Sequence, residues 1–297
     1  MVQSRHWMNS KGYVTVTRAN GDTFSTNPLN IGVESELYTR FLEDGAKDTV
    51  VEEWFAEVID APATQMLEHL LDPANVTRKS FRVRPNKRKT LEEIGFKANH
   101  YIDLVSIPSE VRQAISGYVA ALLVRNPLYL DKLKKFHAET IPSSKEAKNR
   151  ALDNMLYLFD VYKQKILQSV FILTKRISTS EYVYSDGGLI VDEPWRHEFN
   201  IPFDIHAPLT PDISIQILPV PSSRINELST AAIGEQTNQG VARMNRIILA
   251  GAQRFVFSRQ VVPSSFIVKN FGKPAPRNIG YRVTKGKLEA FYNPNRT

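Results

Sequence analysis

No cysteine occurs anywhere in the 297 residues. Disulfide frameworks, thiolate zinc sites, iron–sulfur clusters and cysteine nucleophiles are therefore excluded. Long hydrophobic runs are missing too. The best of them, Val119-Ala120-Ala121-Leu122-Leu123-Val124, is halted by Arg125, far short of the roughly 18–20 residues a membrane helix needs. The first residues, Met1 to Trp7, lack the apolar stretch of a signal peptide, so the chain reads as cytoplasmic with no membrane partner. There is no phosphate-binding P-loop, no Gly-x-Gly-x-x-Gly, no His-Glu-x-x-His and no Gly-x-Ser-x-Gly. The histidines, at 6, 69, 100, 137, 197 and 206, show no metal-ligand spacing. Eleven residues separate Arg125 from His137, too many for the arginine–histidine pair of helical ribonucleases. Any metal would be held mainly by oxygen.

What is present begins with charge. The chain carries 38 Lys and Arg against 31 Asp and Glu, a net +7. Residues 78–89 hold seven basic side chains (Arg78, Lys79, Arg82, Arg84, Lys87, Arg88 and Lys89) and no acid. Residues 259–297 hold eight basic residues and one acid, Glu289. These two segments together carry +14, so the rest of the chain carries −7. Basic segments interleaved with aromatics such as Phe81 and Phe266 suit nucleic acid or another phosphate partner, or an acidic protein. They also suit nothing more than a solvated loop and a solvated tail.

Hydrophobic residues make up 42% of the chain, enough to fill a core. The pattern predicts an α+β fold, mainly helical. It has an N-terminal β-hairpin at 12–26 and a small mixed or antiparallel sheet from the C-terminal half. Alternation in Tyr13–Thr17 followed by Asn20-Gly21 marks the hairpin. Residues 48–168 read as helical. Thr49–Leu71 is amphipathic with a kink or break expected at Pro62. Ser109–Ala138 is interrupted by Pro127, and Ser143 to Glu146 forms a capping box opening a helix to about Leu167. Residues 78–89 read as a loop, 170–218 as strand-rich and 222–253 as helical again. Residues 1–258 are expected to form one domain, with 259–297 a basic tail lacking any clear period after Val262.

Several stretches, in order, resemble the bacterial domain of unknown function 4238 family. They are the hairpin Tyr13–Phe24, Asn30-Ile31-Gly32-Val33-Glu34 with Leu37-Tyr38-Thr39, and the paired-acid helix Val51-Glu52…Phe55-Ala56…Ile59-Asp60. The apolar run Val119–Pro127 follows, then Tyr184-Ser185-Asp186, Pro208-Leu209-Thr210-Pro211, and Met244-Asn245 with Arg254-Phe255-Val256-Phe257-Ser258. Two departures stand out. Family members open with His-x-x-Pro-x-x-Tyr-Leu, whereas this chain begins at or inside that motif with His6 out of register. Asp60 also stands where Glu is commoner.

The polar residues of these stretches are Glu34, Glu52, Asp60, Arg125, Asp186 and Asn245. Glu52 and Asp60 are eight apart, just over two helical turns, so they can share a face. Two readings follow. In the first, the chain is a metal-dependent nucleic-acid hydrolase. Glu52, Asp60 and Asp186 bind Mg2+ or Mn2+ or act as base, and Arg125 steadies phosphate. In the second, it is a non-catalytic binding module of phage defence or a mobile element, gripping nucleic acid or a protein with residues 78–89 and the tail. Against both stands a buried ion-pair network that merely fixes helix register. Asn245 and Pro208–Pro211 read as a strand tie and a rigid turn. Trp54 and Trp195 read as packing.

Overall fold

The structure is a computed structural model and describes residues 6–28, 38–44, 46–80, 85–93, 95–187, 190–191, 205–219, 228–273, 279–284 and 287–292. Glu34, Arg82, Arg84 and Trp195 lie outside the described residues.

The chain opens with the expected hairpin, β1 (Val14–Arg18) and β2 (Thr23–Thr26). Two short strands, β3 (Arg40–Phe41) and β4 (Lys47–Asp48), pair before the first helix. The amphipathic span then forms α1 (Val50–Phe55), a wide π turn (Ala56–Asp60) and α2 (Ala61–Leu71). Pro62 was expected to break this span. It sits in the first turn of α2, where its missing N–H costs little, and the disturbance is moved upstream. There Ala61 N–H reaches back five residues to the Ala56 carbonyl.

Residues 78–89 are not one loop. Arg78 and Lys79 lie in β5 (Val76–Ser80), while Lys87, Arg88 and Lys89 lie in α3 (Pro85–Glu93). Next come β6 (Tyr101–Ser106), α4 (Ser109–Val124), α5 (Pro127–Ala138) and α6 (Ser144–Leu167). The break between α4 and α5 falls at Arg125-Asn126, where Pro127 requires it. Ser143 Oγ accepts the Glu146 N–H, the cap its spacing predicts.

The C-terminal half supplies β7 (Ser169–Arg176), β8 (Tyr184–Ser185), β9 (Ile190–Val191), β10 (Ile205–Pro208), β11 (Ile213–Pro219) and β12 (Thr230–Gln236). It continues with α7 (Asn238–Ala250), β13 (Phe255–Ser258), α8 (Ser264–Asn270) and the hairpin β14 (Ile279–Thr284) and β15 (Lys287–Tyr292). Residues 230–236 were expected to be helical and are instead a strand. The segment after Val262 has more regular structure than its composition suggests, since α8 buries Ile267.

The fold is α+β, as expected, but its principal sheet is larger than foreseen. Seven strands run in the order β5-β6-β12-β7-β11-β10-β9. Two of them, β5 and β6, come from the stretch read as helical. All neighbours are antiparallel except β12 and β7. One face of this sheet packs under α1, α2, α4, α5 and α6. Phe171, Leu173, Ile215 and Ile217 meet Phe55, Ile59, Leu67, Ile115, Val119 and Phe159 in one buried cluster. A second sheet, β2-β1-β13-β8, carries its own apolar patch of Trp7, Val14, Val16 and Phe257. Between the two, α7 packs Val241, Ile248 and Leu249 against Tyr182, Val183, Val256 and Ile267. Trp54 is packing, as expected, edge-on to Phe159 at 4.9 Å.

Candidate functional site

The π turn, the end of α4 and strand β8 bring three of the sequence-predicted residues together. Asp60 is the last residue of the π turn, and its Oδ1 lies 3.8 Å from Arg125 Nη1. Both side chains keep about a quarter of their surface exposed: 25% for Asp60 and 24% for Arg125. Arg125 closes α4 with its N–H on the Ala121 carbonyl, and its own carbonyl accepts the Tyr38 hydroxyl at 2.8 Å. Its guanidinium lies over the Phe55 ring at 4.7 Å and the Tyr38 ring at 5.4 Å. These stacked rings hold a cation without consuming its N–H donors.

Asp186 follows β8 and faces the turn before β13. Its Oδ1 accepts the Gln253 N–H at 2.9 Å and its Oδ2 the Arg254 N–H at 2.8 Å, with Arg254 Nε at 3.7 Å. Asn126 links the two halves. Its Nδ2 donates to the Gly187 carbonyl at 3.0 Å and its Oδ1 accepts from Gln253 Nε2 at 3.1 Å. Tyr184, on β8, packs on Trp7 and Phe257. Burial pushes its phenol above the ordinary value of 10.0, Arg125 opposes this, and the charges of Asp186 and Asp60 add to it. Asp60 and Arg125 thus form one pair, and Asp186 reaches it through the Gln253–Asn126 link.

Glu52 does not join them. It is exposed in the first turn of α1, and eight residues of helix place it roughly 12 Å along the axis from Asp60. A shared face is not a shared site. Among the described residues no group of three or more His, Asp or Glu gathers to hold a metal ion, so Glu52, Asp60 and Asp186 are not assembled as a ligand set. Tyr38, Tyr184, Gln253 and Arg254 belong to the site and were not singled out as functional. Tyr38, Tyr184 and Arg254 were signalled only by lying in the family-like stretches, and Gln253 by nothing.

The remaining predicted residues divide between surface and scaffold. Arg78 makes two hydrogen bonds to Asp103, at 2.7 and 2.9 Å, and its guanidinium stacks on Tyr101 at 3.9 Å. That hydrogen bonding holds the Asp103 carboxyl below its ordinary value. Lys79 is exposed, Arg88 pairs with Glu92 at 3.1 Å, and Lys89 approaches Glu93 at 4.0 Å. Asn245, expected to cap or tie a strand, ties the irregular segment that leads into β8. Its Oδ1 accepts the Val183 N–H and its Nδ2 donates to the Glu181 carbonyl. Pro208–Pro211 is a tight β10–β11 turn closed by Thr210 Oγ1 on the N–H groups of Asp212 and Ile213. His137 lies on α5, away from Arg125 in sequence and element, and meets Asn154 Nδ2 at 2.8 Å.

Among the described residues no helix is long and apolar enough to cross a membrane. The chain matches the family described as Protein of unknown function (DUF4238) over residues 5–261, and it belongs to that family. No curated protein and no solved structure matches it.

Proposed function

We propose that this member of the DUF4238 family hydrolyses phosphodiester bonds of nucleic acid at the Asp60–Arg125 site. The observation that supports this most is the state of Arg125. It is a part-exposed guanidinium lying against two mutually packed aromatic rings, with a carboxylate oxygen of Asp60 at 3.8 Å as its ionic partner among the described residues. Among the described residues five donors face one acceptor, at 3.8 Å, which leaves capacity for a phosphate. In this reading Arg125 binds the non-bridging phosphate oxygens and Asp60 takes a proton from water. The water oxygen bonds to phosphorus, the bond to the leaving oxygen breaks, and solvent protonates that oxygen. Were Mg2+ or Mn2+ bound with the substrate, Asp60 would be the carboxylate to hold it, and the ion would supply charge neutralisation at the phosphate. Asp186 acts at one remove, by fixing the Gln253–Arg254 turn that holds Asn126 beside Arg125.

The test is cleavage of labelled single- and double-stranded DNA and RNA by the full chain, with and without each cation. Cation-dependent cleavage lost in Asp60→Asn and Arg125→Gln, both still folded, is the expected result. No cleavage of any substrate by the folded protein overturns the proposal.

A second reading, binding without catalysis, is favoured by Arg78 stacked on Tyr101 on the edge strand β5 beside exposed Lys79, Arg88 and Lys89. In that case charge reversal at these four residues abolishes nucleic-acid binding and flattens its salt dependence, while Arg125→Gln leaves both unchanged.

A further inference from the structure

The second face of the seven-stranded sheet, opposite the helical core, borders a cavity of about 380 Å³. Strand alternation decides what faces it. On β7 the core takes Phe171 and Leu173 while Ile172 lines the cavity; on β11 the core takes Ile215 and Ile217 while Gln216 lines it. Register then aligns a row across four strands, His206, Gln216, Ile172 and Ala232, on the cavity side. The far wall is the face of α7 that carries Met244 and Ile247.

The remaining wall is held tightly in place. A Cβ on Gly234 would lie 2.6 Å from the Phe96 ring, so that glycine lets the ring settle directly on the sheet. A Cβ on Gly240 would lie 2.5 Å from the Gly95 carbonyl oxygen, and that same carbonyl accepts the Thr237 N–H at 2.9 Å. The Gly95–Phe96 segment is thereby locked against the start of α7. The space is a built feature of the fold.

We infer that this cavity binds a nucleotide, base inside and phosphate at the rim. An acyl chain calls for aliphatic walls throughout. Here the carboxamides of Asn99 and Gln216 and the imidazole of His206 stand among Phe96, Ile172 and Met244. That is the mixture of flat apolar faces and edge donors and acceptors that a heterocyclic base requires. The rim carries paired charges whose cations a phosphate can engage. Lys97 and Glu235 both line the cavity as an ion pair at 3.3 Å, and Glu235 also accepts from Asn99 Nδ2. Arg243 lines it as well, Tyr101 in its wall carries the Arg78 guanidinium, which is bonded to Asp103, and Leu91 in its wall shares α3 with exposed Arg88 and Lys89, paired with Glu92 and Glu93. The same chemistry serves a free mononucleotide or a base drawn out of a strand. This inference is independent of the Asp60–Arg125 reading.

The experiment measures binding to the full chain by calorimetry and by the shift in melting temperature. The probes are the four ribonucleoside monophosphates, short single-stranded oligonucleotides and, as a control, a long-chain fatty acid. Three variants separate the outcomes. Ile172→Trp fills the cavity without touching the rim, Gln216→Leu removes an edge group, and Asp60→Asn disables the other site. Expected are binding by wild type and Asp60→Asn alike, loss in Ile172→Trp, and roughly tenfold weakening in Gln216→Leu. Mononucleotide binding identifies a free nucleotide as the ligand. Oligonucleotide binding alone, abolished by Ile172→Trp, identifies an extruded base. Oligonucleotide binding that survives Ile172→Trp, binding of the fatty acid only, or no binding at all overturns the inference.

Discussion

Replacing Asp186 by Asn separates an anchoring carboxylate from a reactive one. The side chain is 8% exposed, and each oxygen accepts a different backbone N–H, at 2.9 and 2.8 Å. Asparagine keeps one acceptor and turns an NH2 group toward the second N–H, so one charge-assisted bond becomes a donor facing a donor. Such a bond contributes about 1.5–3 kcal/mol. The Arg254 contact, with Arg254 53% exposed, adds little after solvent screening. At about 2–4 °C per kcal/mol for a chain approaching this size, the melting temperature should fall by roughly 3–12 °C. The turn it holds also orients Gln253 toward Asn126 and hence the end of α4. Anion binding at Arg125 should therefore weaken in proportion to the loosened turn, and Asp186→Glu should rescue neither. Circular dichroism melts and phosphate titrations read both effects. An unchanged melting temperature with activity abolished would refute this reasoning, because it would make the carboxylate a chemical participant and not an anchor.

Four further outcomes follow from individual contacts. Gly240→Ala drives a Cβ onto the Gly95 carbonyl, which cannot retreat, whereas Gly234→Ala meets a ring that can rotate. Overpacking of this kind costs about 1–3 kcal/mol, so Gly240→Ala should melt below Gly234→Ala, and only the latter should remain folded with a closed cavity. Asn245→Leu strands the Val183 N–H and the Glu181 carbonyl in the interior, a loss of roughly 2–5 kcal/mol read in urea denaturation. Burial pushes the Tyr182 phenol from 10.0 up to about 12. Its contribution to stability is therefore complete below pH 10 and lost as pH rises toward 12, and Tyr182→Phe should flatten that alkaline decline. At the acid end, Arg78 holds Asp103 below 3.8, so its stabilisation is present above that pH and lost as pH falls through the depressed value. Asp103→Asn should remove this acid-side step, and added salt should shrink it in the wild type.

Legibility in the sequence tracked the range of the interactions. The hairpin at Asn20-Gly21, the Ser143 cap, the break before Pro127 and the turn at Pro208–Pro211 are local, and each was readable from a few residues. Strand β12, Thr-Ala-Ala-Ile-Gly-Glu-Gln, was not. Its alanines and glycine are poor strand formers, and it is extended because β6 and β7 flank it on either side. Gly234 sits in it because Phe96 needs the room, a requirement set by a residue far away in sequence. Strand β5 was hidden by its own charge. It is an edge strand, exposed from Thr77 to Ser80, so it shows no buried alternation. At the site, Asp60, Arg125 and Asp186 were legible through motif order. Tyr184 was not, since its surroundings, Trp7 and Phe257, come from distant parts of the chain. Glu52 was over-read because helical spacing gives angular position and says nothing of the rise along the axis.

The arginines make the same point most sharply, since residue type alone cannot rank them. Arg112 is buried, stacked on Phe171, and donates to the carbonyls of Leu167, Ser169 and Leu228. Arg176 and Arg259 share Glu181 and Asp212, and Arg78 makes two hydrogen bonds to Asp103. Each of these has at least two side-chain nitrogens hydrogen-bonded to acceptors of the fold. Among the described residues, Arg125 has aromatic faces and one carboxylate oxygen at 3.8 Å. Acceptor supply therefore sets apart the arginine with capacity for a ligand from those that hold the scaffold. Methionine at either position tests this. Arg112→Met leaves three interior carbonyls unmatched, so it should cost at least about 3 kcal/mol. Arg125→Met gives up a quarter-exposed ion pair and two ring contacts while its thioether packs on Phe55, so it should cost about 1 kcal/mol or less. Phosphate binding and nucleic-acid cleavage should be lost in Arg125→Met and kept by the folded fraction of Arg112→Met. If Arg125→Met instead destabilises as severely as Arg112→Met and leaves anion binding intact, Arg125 is one more scaffold arginine.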